Sequence, residues 1–534
     1  MGVSVTNRER LMMVIVALAG AFFITRYFVA GPGYTDVFYH INAANRFVTG
    51  QGLTDAYYWT YIGATNKLPA PSHLYWMPLT SLSAAVGMWL LNAPNSYTAA
   101  QLLFSLMFAG LVLVGFWCGA YLGGTRRHMW VAGIVTLFSG YFVRFWGAID
   151  TFAPYALAGS LSLVFLGLSN RFESKPQRTL IYGVLGGAFA GFAHLTRADG
   201  VLLVIVGWAV LGWSLLFNRS DKRMGFGRLV SQGVALTLGY LVVMLPWFLR
   251  NLNVLGTPMP LGGTQTIWFT SYDDLFNYPP LSTPATLFAN GISDFVASRW
   301  LALTNNLGTF VAVEGLIVMT PLMLVGLWQR RRTEFLQPFW IYVVGLHLAM
   351  TFVFPFPGYR GGLLHSAAAL IPFWAALGVV GLDSVVDWIA RRRRQWKSRS
   401  AKAVFSVGLV FVAVLLSLMI GLPARVPPQA GSPLDQALVQ QLPADARVMI
   451  NDPAQLYYFT GLGGVVLPNE SPEVILEIAR KYNVKYVVIE GISEDGRSSN
   501  AITEKMDSIL TNPPSFLVPM PLNVPNVSLY EIRY

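Results

Sequence analysis

Charge is what this chain has least of. Of its 534 residues only 12% are Asp, Glu, Lys or Arg, while 54% are hydrophobic and mean hydropathy is +0.50. An ordinary soluble chain is about 25% charged, so a soluble multidomain enzyme is excluded, and the apolar content excludes disorder. There is one cysteine, Cys118, inside an apolar run, so no disulfide scaffold and no CxxC metal or redox motif exists. The sequence also lacks GxxxxGK[ST], HExxH and GxSxG. A nucleotide-driven pump, a zinc protease of that type and a serine hydrolase therefore have no support.

What is present is a series of apolar runs long enough to cross a bilayer core of ~30 Å. They lie near 10–29, 99–122, 128–143, 151–169, 180–195, 199–217, 229–249, 309–328, 336–354, 363–386 and 402–422. About eleven transmembrane spans are expected, helical because lipid offers the backbone no hydrogen-bond partners. The first carries no small-residue cleavage site and reads as a retained anchor. The run Met77–Ala93 is apolar too, but counting it as a span would invert the later loops, so it is expected to be a juxtamembrane or re-entrant helix.

The basic residues give the orientation. Arg8/Arg10, Arg126/Arg127, Arg171/Lys175/Arg178, Arg219/Lys222/Arg223/Arg228, Arg330–Arg332 and the cluster Arg391–Lys402 fall on one side of successive spans and hold more than half of the 37 basic residues. The positive-inside rule makes that side cytoplasmic, with the N-terminus there, in a multi-pass plasma-membrane protein. The net charge of +11 is then a topology signal and not a sign of nucleic acid as partner. The opposite face receives a first loop, 31–98, rich in Tyr, Trp, Gly and Pro, and a second long loop, 250–308. The expected architecture is a transmembrane unit over 1–422 and, over 430–534, a small extracytoplasmic α/β domain. Its helix-like stretches DQALVQQL and SPEVILEIARKYN alternate with the strand-like ARVMIN, VKYVVIE and VSLYEIRY.

Ionisable residues at or within a membrane are costly, so each is a functional candidate. Asp36, in GYTDVFYHINAANRF, follows the first span and can act as a base or metal ligand, or cap the next helix. His40 stands four residues on, sharing its face if the stretch is helical, so that the pair suits a metal cation or a sugar hydroxyl, unless His40 is structural. Asp150, in RFWGAIDTFAPY, is either a helix cap or a partner of Asp36 around a divalent cation or a substrate hydroxyl. Arg197 in AHLTRADG either pairs with Asp199 or presents its donors to a phosphate. Arg360, in FPFPGYRGGLLHS, and His365 after it are further candidates for phosphate contact. His73 in PSHLYW is either an interfacial anchor or a contact to a lipid phosphate. Arg250 is expected to snorkel, and Glu314, inside a span, to pair or to stay protonated.

A first span followed at once by an Asp in a long aromatic loop resembles the integral-membrane glycosyltransferases of the GT-C fold. TDVFYHINAANRFVTGQG and APSHLYWMPLTSLSAA are similar to the first loop of protein O-mannosyltransferases and of oligosaccharyltransferase catalytic subunits, and RFWGAIDTF resembles their second acidic motif. GAFAGFAHLTRADG and LPWFLRNLNVLGTPMP resemble stretches of bacterial family 39-like transferases. NDPAQLYYFTG and YNVKYVVIEG are similar to the outer domain that some of these carry. The resemblance implies a polyprenyl-phosphate or diphosphate sugar as donor and a glycan, lipid or protein as acceptor. It implies Asp36 as catalytic base or metal ligand, with Asp150 beside it. Two departures matter. No WWDYG-like motif is present, which argues against peptide-sequon recognition, and PSHLYW stands where many relatives have Lys or His before Pro-Pro-Leu, leaving His73 as the nearest substitute. The readings from other classes are a transporter or lipid flippase, for which inverted repeats would be expected and none is visible, and a catalytically silent scaffold.

Overall fold

A computed structural model describes residues 4–171, 175–216, 225–393, 395–490, 509 and 512–533. Arg219, Lys222, Arg223 and Arg394 of the basic turns lie outside the described residues. The chain is a bundle of apolar helices carrying, at one end, a cap built from the first loop, the second loop and the C-terminal α/β domain.

Among the described residues nine helices are long and apolar enough to cross a membrane: Asn7–Phe28, Tyr97–Gly123, Phe152–Ser169, Pro176–Thr196, Ala198–Leu216, Phe226–Leu255, Glu334–Val353, Pro355–Ala390 and Ser398–Gly421. Two of the eleven expected runs are interrupted. The run near 128–143 forms only Arg126–Leu137, 12 residues or about 18 Å, before Gly140 at φ +62° turns the chain into a short 3₁₀ segment. The run near 309–328 passes through a π-helical turn at Phe310–Glu314. It breaks at Leu316 and Ile317, both at positive φ, and resumes as Thr320–Arg330. Apolar composition marks both runs, but local backbone breaks shorten the helices. Glu314 sits at the second break, fully buried, accepting hydrogen bonds from Trp374 Nε1 (2.9 Å) and pairing with His347 Nε2 (3.1 Å). Cys118 is buried.

Helix α1 (Asn7–Phe28) starts with a capping box between Thr6 and Glu9. The chain then crosses directly into α2 (Thr35–Val48), whose first turn contains Asp36. Two short strands, β1 (Thr54–Asp55) and β2 (Tyr57–Tyr58), precede β3 (Ala70–Pro71), which pairs antiparallel with β1. The expected juxtamembrane segment forms α3 (Leu79–Leu90), too short to span, packed so closely on the start of the next helix that a Cβ at Gly87 would lie 2.3 Å from the Ala99 carbonyl.

The C-terminal domain holds β4 (Arg447–Ile450), β5 (Gly463–Val466), β6 (Tyr486–Glu490), β7 (Leu517–Met520) and β8 (Val527–Ile532). Their order is β2-β5-β4-β6-β8-β7, with β4 parallel to β5 and β6, and with β8 antiparallel to both β6 and β7. The first loop thus supplies an edge strand to a sheet whose other members lie about 400 residues later, Tyr57 opposite Gly464 and Tyr58 opposite Val465. Tyr58, Tyr61 and Ile62 of that loop share a core with Val465, Ile475 and Val487. A second contact seats the helix Pro453–Thr460 on α2: Asn42 Nδ2 donates to the Ala454 carbonyl (2.8 Å), Arg46 to Tyr457 (2.7 Å), and Phe38 packs against Tyr458 and Phe459.

Candidate active site

Three side chains with ligand atoms meet where α2 begins. One oxygen each from Asp36 and Asp150 and one ring nitrogen of His365 lie within 4.8 Å of one another. They come from three separated stretches of chain: the first turn of α2, the turn before the helix Phe152–Ser169, and the segment after the Gly361–Gly362 kink.

Asp150 is fully buried and held at both oxygens, accepting from Tyr34 Oη (2.7 Å) and from the Thr151 amide (2.5 Å). The Thr151 hydroxyl bonds His365 Nδ1 (2.7 Å), and the imidazole stacks on Phe152 with centroids 3.9 Å apart. Ring position and carboxylate position are thereby fixed by the same dipeptide.

Asp36 differs in that one edge opens on a cavity of about 340 Å³ between the first loop, the loop containing Tyr272 and the C-terminal domain. Burial pushes its carboxyl up to about 8. The charge of Asp150 adds to the shift, Arg197 offsets part of it, and Asp452 adds a little more. Two carboxylates this close favour a shared proton or a cation between them. Two carboxylates and an imidazole are also a donor set that divalent metals accept.

The remaining expected residues fall into two groups. Arg197 and Arg360 border the site. Arg197 Nε pairs with Asp199 Oδ1 (3.1 Å) and bonds Ser366 Oγ, which in turn donates to Asp199, so the guanidinium is held beside His365 and its charge reaches Asp36 and Asp150. Exposed Arg360 lies over the ring of Tyr272, 4.7 Å from its centroid, and Tyr272 lines the cavity.

His40 and His73 do not join the three. Both bind Ser81, His40 through Nδ1 and His73 through Nε2, each at 2.9 Å, while His73 Nδ1 meets Ser72 (2.7 Å). With both ring nitrogens partnered, His73 has none left for a phosphate. Burial also drives its imidazole well below the usual value, so it carries no charge to attract one. The third ligand-type group beside Asp36 and Asp150 is His365, not His40, because the α2 register directs His40 onto α3.

Of the groups around this core, sequence reasoning singled out Arg250 alone. Tyr39 Oη donates to Asp55 Oδ2 (3.0 Å) and accepts from the His73 amide (2.7 Å), a buried link that keeps the first loop folded on α2. Arg250 does not simply snorkel: it stacks on Trp247 and donates to the Ser72 carbonyl (3.1 Å). Asp452, Asn451 and Glu490 reach the cavity from the ends of β4 and β6. Asp452 was the most legible of these, since Asp-Pro after a strand marks a helix N-cap, and its Oδ1 does cap Pro453–Thr460.

The fold, a polytopic bundle of apolar helices capped by a small α/β domain, is the GT-C fold of solved membrane proteins. The oligosaccharyltransferase of Archaeoglobus fulgidus, tethered to an acceptor peptide containing the NVT sequon, is similar over 91% of this chain and 69% of its own, with TM-score 0.59 and 14% identity. ArnT from Cupriavidus metallidurans in the apo state is similar over 98% of this chain and 97% of its own (TM-score 0.57, 14% identity), and the same protein bound to undecaprenyl phosphate over 99% and 98% (TM-score 0.54, 13% identity). No protein-family model matches the chain, and no curated protein matches it in sequence.

Proposed function

We propose that this protein transfers a sugar from a polyprenyl-phosphate or polyprenyl-diphosphate donor to an acceptor hydroxyl on a glycan, lipid or protein, at the extracytoplasmic face of the plasma membrane. The observation that carries the reading is the meeting of Asp36, Asp150 and His365 beside Arg197, at a cavity roofed by the C-terminal domain. The ArnT neighbour was solved with undecaprenyl phosphate, which supports a lipid-phosphate donor for the same architecture. The alternation of basic turns supports the cap end of the bundle as the outer one, with the N-terminus cytoplasmic.

The chemistry follows from the side chains. Asp36, open to the cavity and raised to about 8, takes the proton of the acceptor hydroxyl. The acceptor oxygen forms a bond to the anomeric carbon from the face opposite the phosphate, the bond from that carbon to the phosphate oxygen breaks, and the electron pair leaves with the phosphate. The anomeric configuration inverts. Arg197 and Arg360 stand where positive charge offsets the leaving phosphate, an effect strongest in a dry site. Asp150, clamped by Tyr34 and Thr151, keeps a carboxylate beside Asp36 and His365. A divalent cation bound by Asp36, Asp150 and His365 would supply Lewis-acid stabilisation of negative charge there.

The test is direct. Purified protein in lipid nanodiscs is given radiolabelled polyprenyl-linked sugars, with and without a chelator. Transfer or hydrolysis of one donor is expected, and loss of at least a hundredfold with Asp36→Asn. Full activity of that variant would remove Asp36 as the base.

A further inference from the structure

The end of the bundle opposite the cap holds cations that the protein's own acids do not balance. The helices Thr320–Arg330 and Pro355–Ala390 both run away from the cap, packed so closely that a Cβ on Gly326 would strike the Leu377 carbonyl and one on Gly381 that of Leu322. Their last turns therefore emerge side by side. The helix Ser398–Gly421 starts beside them, held by Asp387, which accepts from Ser398 Oγ (2.6 Å) and Lys402 Nζ (2.7 Å). The acids at this end are committed within the protein: Glu9 to Arg126, Asp383 to Arg127 and His128, and Asp387 to Lys402, while Glu334 lies toward Tyr121. The arginines at 330–332 and 391–393, with Lys397 and Arg399, are exposed, and none of them is in an ion pair among the described residues.

Two of these arginines are set by the same device on adjoining helices. Arg331 Cζ stands 3.8 Å from the ring centroid of Trp328, and its Nη1 donates to the Trp328 carbonyl (2.6 Å). Arg392 Cζ stands 4.0 Å from the ring centroid of Trp388, and its Nη1 donates to the Trp388 carbonyl (3.2 Å). Both tryptophans are exposed, 64% and 51%. An exposed indole at the end of an apolar helix belongs at the head-group level of a bilayer, where its ring and its N–H are both accommodated. Each guanidinium is thereby laid on its indole at the depth of the lipid phosphates. Arginine is always charged, and its planar fork of donors matches phosphate oxygens. Topology alone requires positive charge at this end, but not arginines fixed on exposed tryptophans of two neighbouring helices.

We propose that this end of the bundle binds anionic phospholipid, with Arg331 and Arg392 on the lipid phosphates and the surrounding cations drawing negatively charged head groups to them. Charge complementarity names the occupant. Cations clustered around exposed indoles, at the ends of helices whose apolar sides (Leu324, Val404 and Val407) are also exposed, face the head groups of one leaflet. A lipid of net negative charge is attracted there, and a zwitterionic one is not. The lipid's acyl chains lie along those apolar sides, which a soluble anion cannot use. Because the contacts are exposed, they weaken as salt screens them. The inference rests neither on the reaction proposed above nor on which side of the membrane is cytoplasmic.

The full-length protein in detergent is offered an equimolar mixture of phosphatidylglycerol and phosphatidylcholine, and the lipid it retains is counted by native mass spectrometry. At least a tenfold preference for phosphatidylglycerol is expected, weakening as salt is raised. Arg331→Gln combined with Arg392→Gln should cut that preference at least fivefold. Arg8→Gln combined with Arg10→Gln removes equal charge at the same end and should leave it within twofold. Thermal unfolding in phosphatidylcholine nanodiscs confirms that each variant is folded. Arg331→Lys with Arg392→Lys, which keeps the charge and loses the fork, stands in if the first pair is not, and should cut the preference at least twofold. Excess glycerol 3-phosphate, a head group without chains, should leave the retained lipid in place. Equal retention of the two lipids by the wild type, an equal loss from the Arg8/Arg10 pair, or displacement of the lipid by glycerol 3-phosphate overturns the inference.

Discussion

Thr35 Oγ1 donates a 2.6 Å hydrogen bond to Asp452 Oδ2, tying the residue before Asp36 to a helix more than 400 positions later. The other oxygen of Asp452 caps that helix through the Ala454 and Gln455 amides. One carboxylate therefore sets both the seat of the C-terminal domain and the start of α2. Asp452→Ala removes a cap worth about 1 kcal/mol and leaves the Thr35 hydroxyl without its acceptor, for a total cost of about 2 kcal/mol. A lower melting temperature in nanodiscs is expected, together with a fall in kcat, because Asp36 loses its neighbour's anchor. Thr35→Val should reproduce the loss of kcat with a smaller thermal effect. If Asp452→Ala melts early yet turns over at the full rate, the bridge is only mechanical.

Protonation of Asp36 gives a pH signature. Its carboxyl stands at about 8, far above the ordinary value of ~4. A base must be deprotonated, so without divalent cations kcat/KM should rise tenfold per pH unit up to about 8 and level off above it. A cation stabilises the carboxylate and moves this rise to lower pH. The effect on stability runs the opposite way. The folded state holds this proton more tightly than the unfolded chain, so the contribution is full below ~4 and is lost as pH climbs through about 8. Asp36→Asn should flatten both profiles. A wild-type activity profile without any inflection near neutral or mildly alkaline pH would contradict the assignment.

Thr151 lies between two of the ligand-type groups, its amide on buried Asp150 and its hydroxyl on half-buried His365. Thr151→Val keeps the shape and the amide but frees the imidazole. If the three residues hold a cation, this loss of an outer hydrogen bond should weaken it 10- to 100-fold, read by Mn²⁺ electron paramagnetic resonance titration. His365→Ala should weaken it further. Undiminished Mn²⁺ affinity in both variants would remove His365 from the cation site, and no Mn²⁺ binding by the wild type would leave the carboxylates as a proton-sharing pair only.

Much of this was legible before the structure. Asp36 and Asp150 stood out because an acid at the end of an apolar run has few structural excuses, and Arg197 because its loop is too short to solvate it. His40 was misplaced for a definite reason. Spacing of four puts two side chains on one helix face, but the face of α2 beyond its first turn is occupied by α3, so His40 meets Ser81 while Asp36 stays open. The partner that took its place, His365, is separated from Asp150 by about 200 residues, and no local pattern links them. β2 was equally hidden. Tyr57–Tyr58 is two residues long, and only the sheet it completes makes it a strand. The interrupted spans show the limit of hydropathy, which counts apolar residues and is blind to a positive φ at Gly140 or Leu316.

The placement of Arg197 depends on a helix pair far from the cap. A Cβ at Gly187 would lie 1.9 Å from the Leu236 carbonyl oxygen, and one at Gly239 would lie 2.0 Å from that of Val184, so the helices Pro176–Thr196 and Phe226–Leu255 touch backbone to backbone. Close approach through small residues is how helices associate where the surrounding lipid offers no hydrophobic drive. Arg197 immediately follows the first of these helices. Gly187→Ala must push the pair apart, at about 1–3 kcal/mol for overpacking, and shift Arg197 relative to Asp36. The expected result is a lower melting temperature and a reduced kcat together. Gly212→Ala, where nothing lies within 4 Å, is the control and should leave both unchanged or raise stability slightly. A Gly187→Ala variant that melts early with full kcat would show that Arg197 is positioned by Asp199 and Ser366 alone.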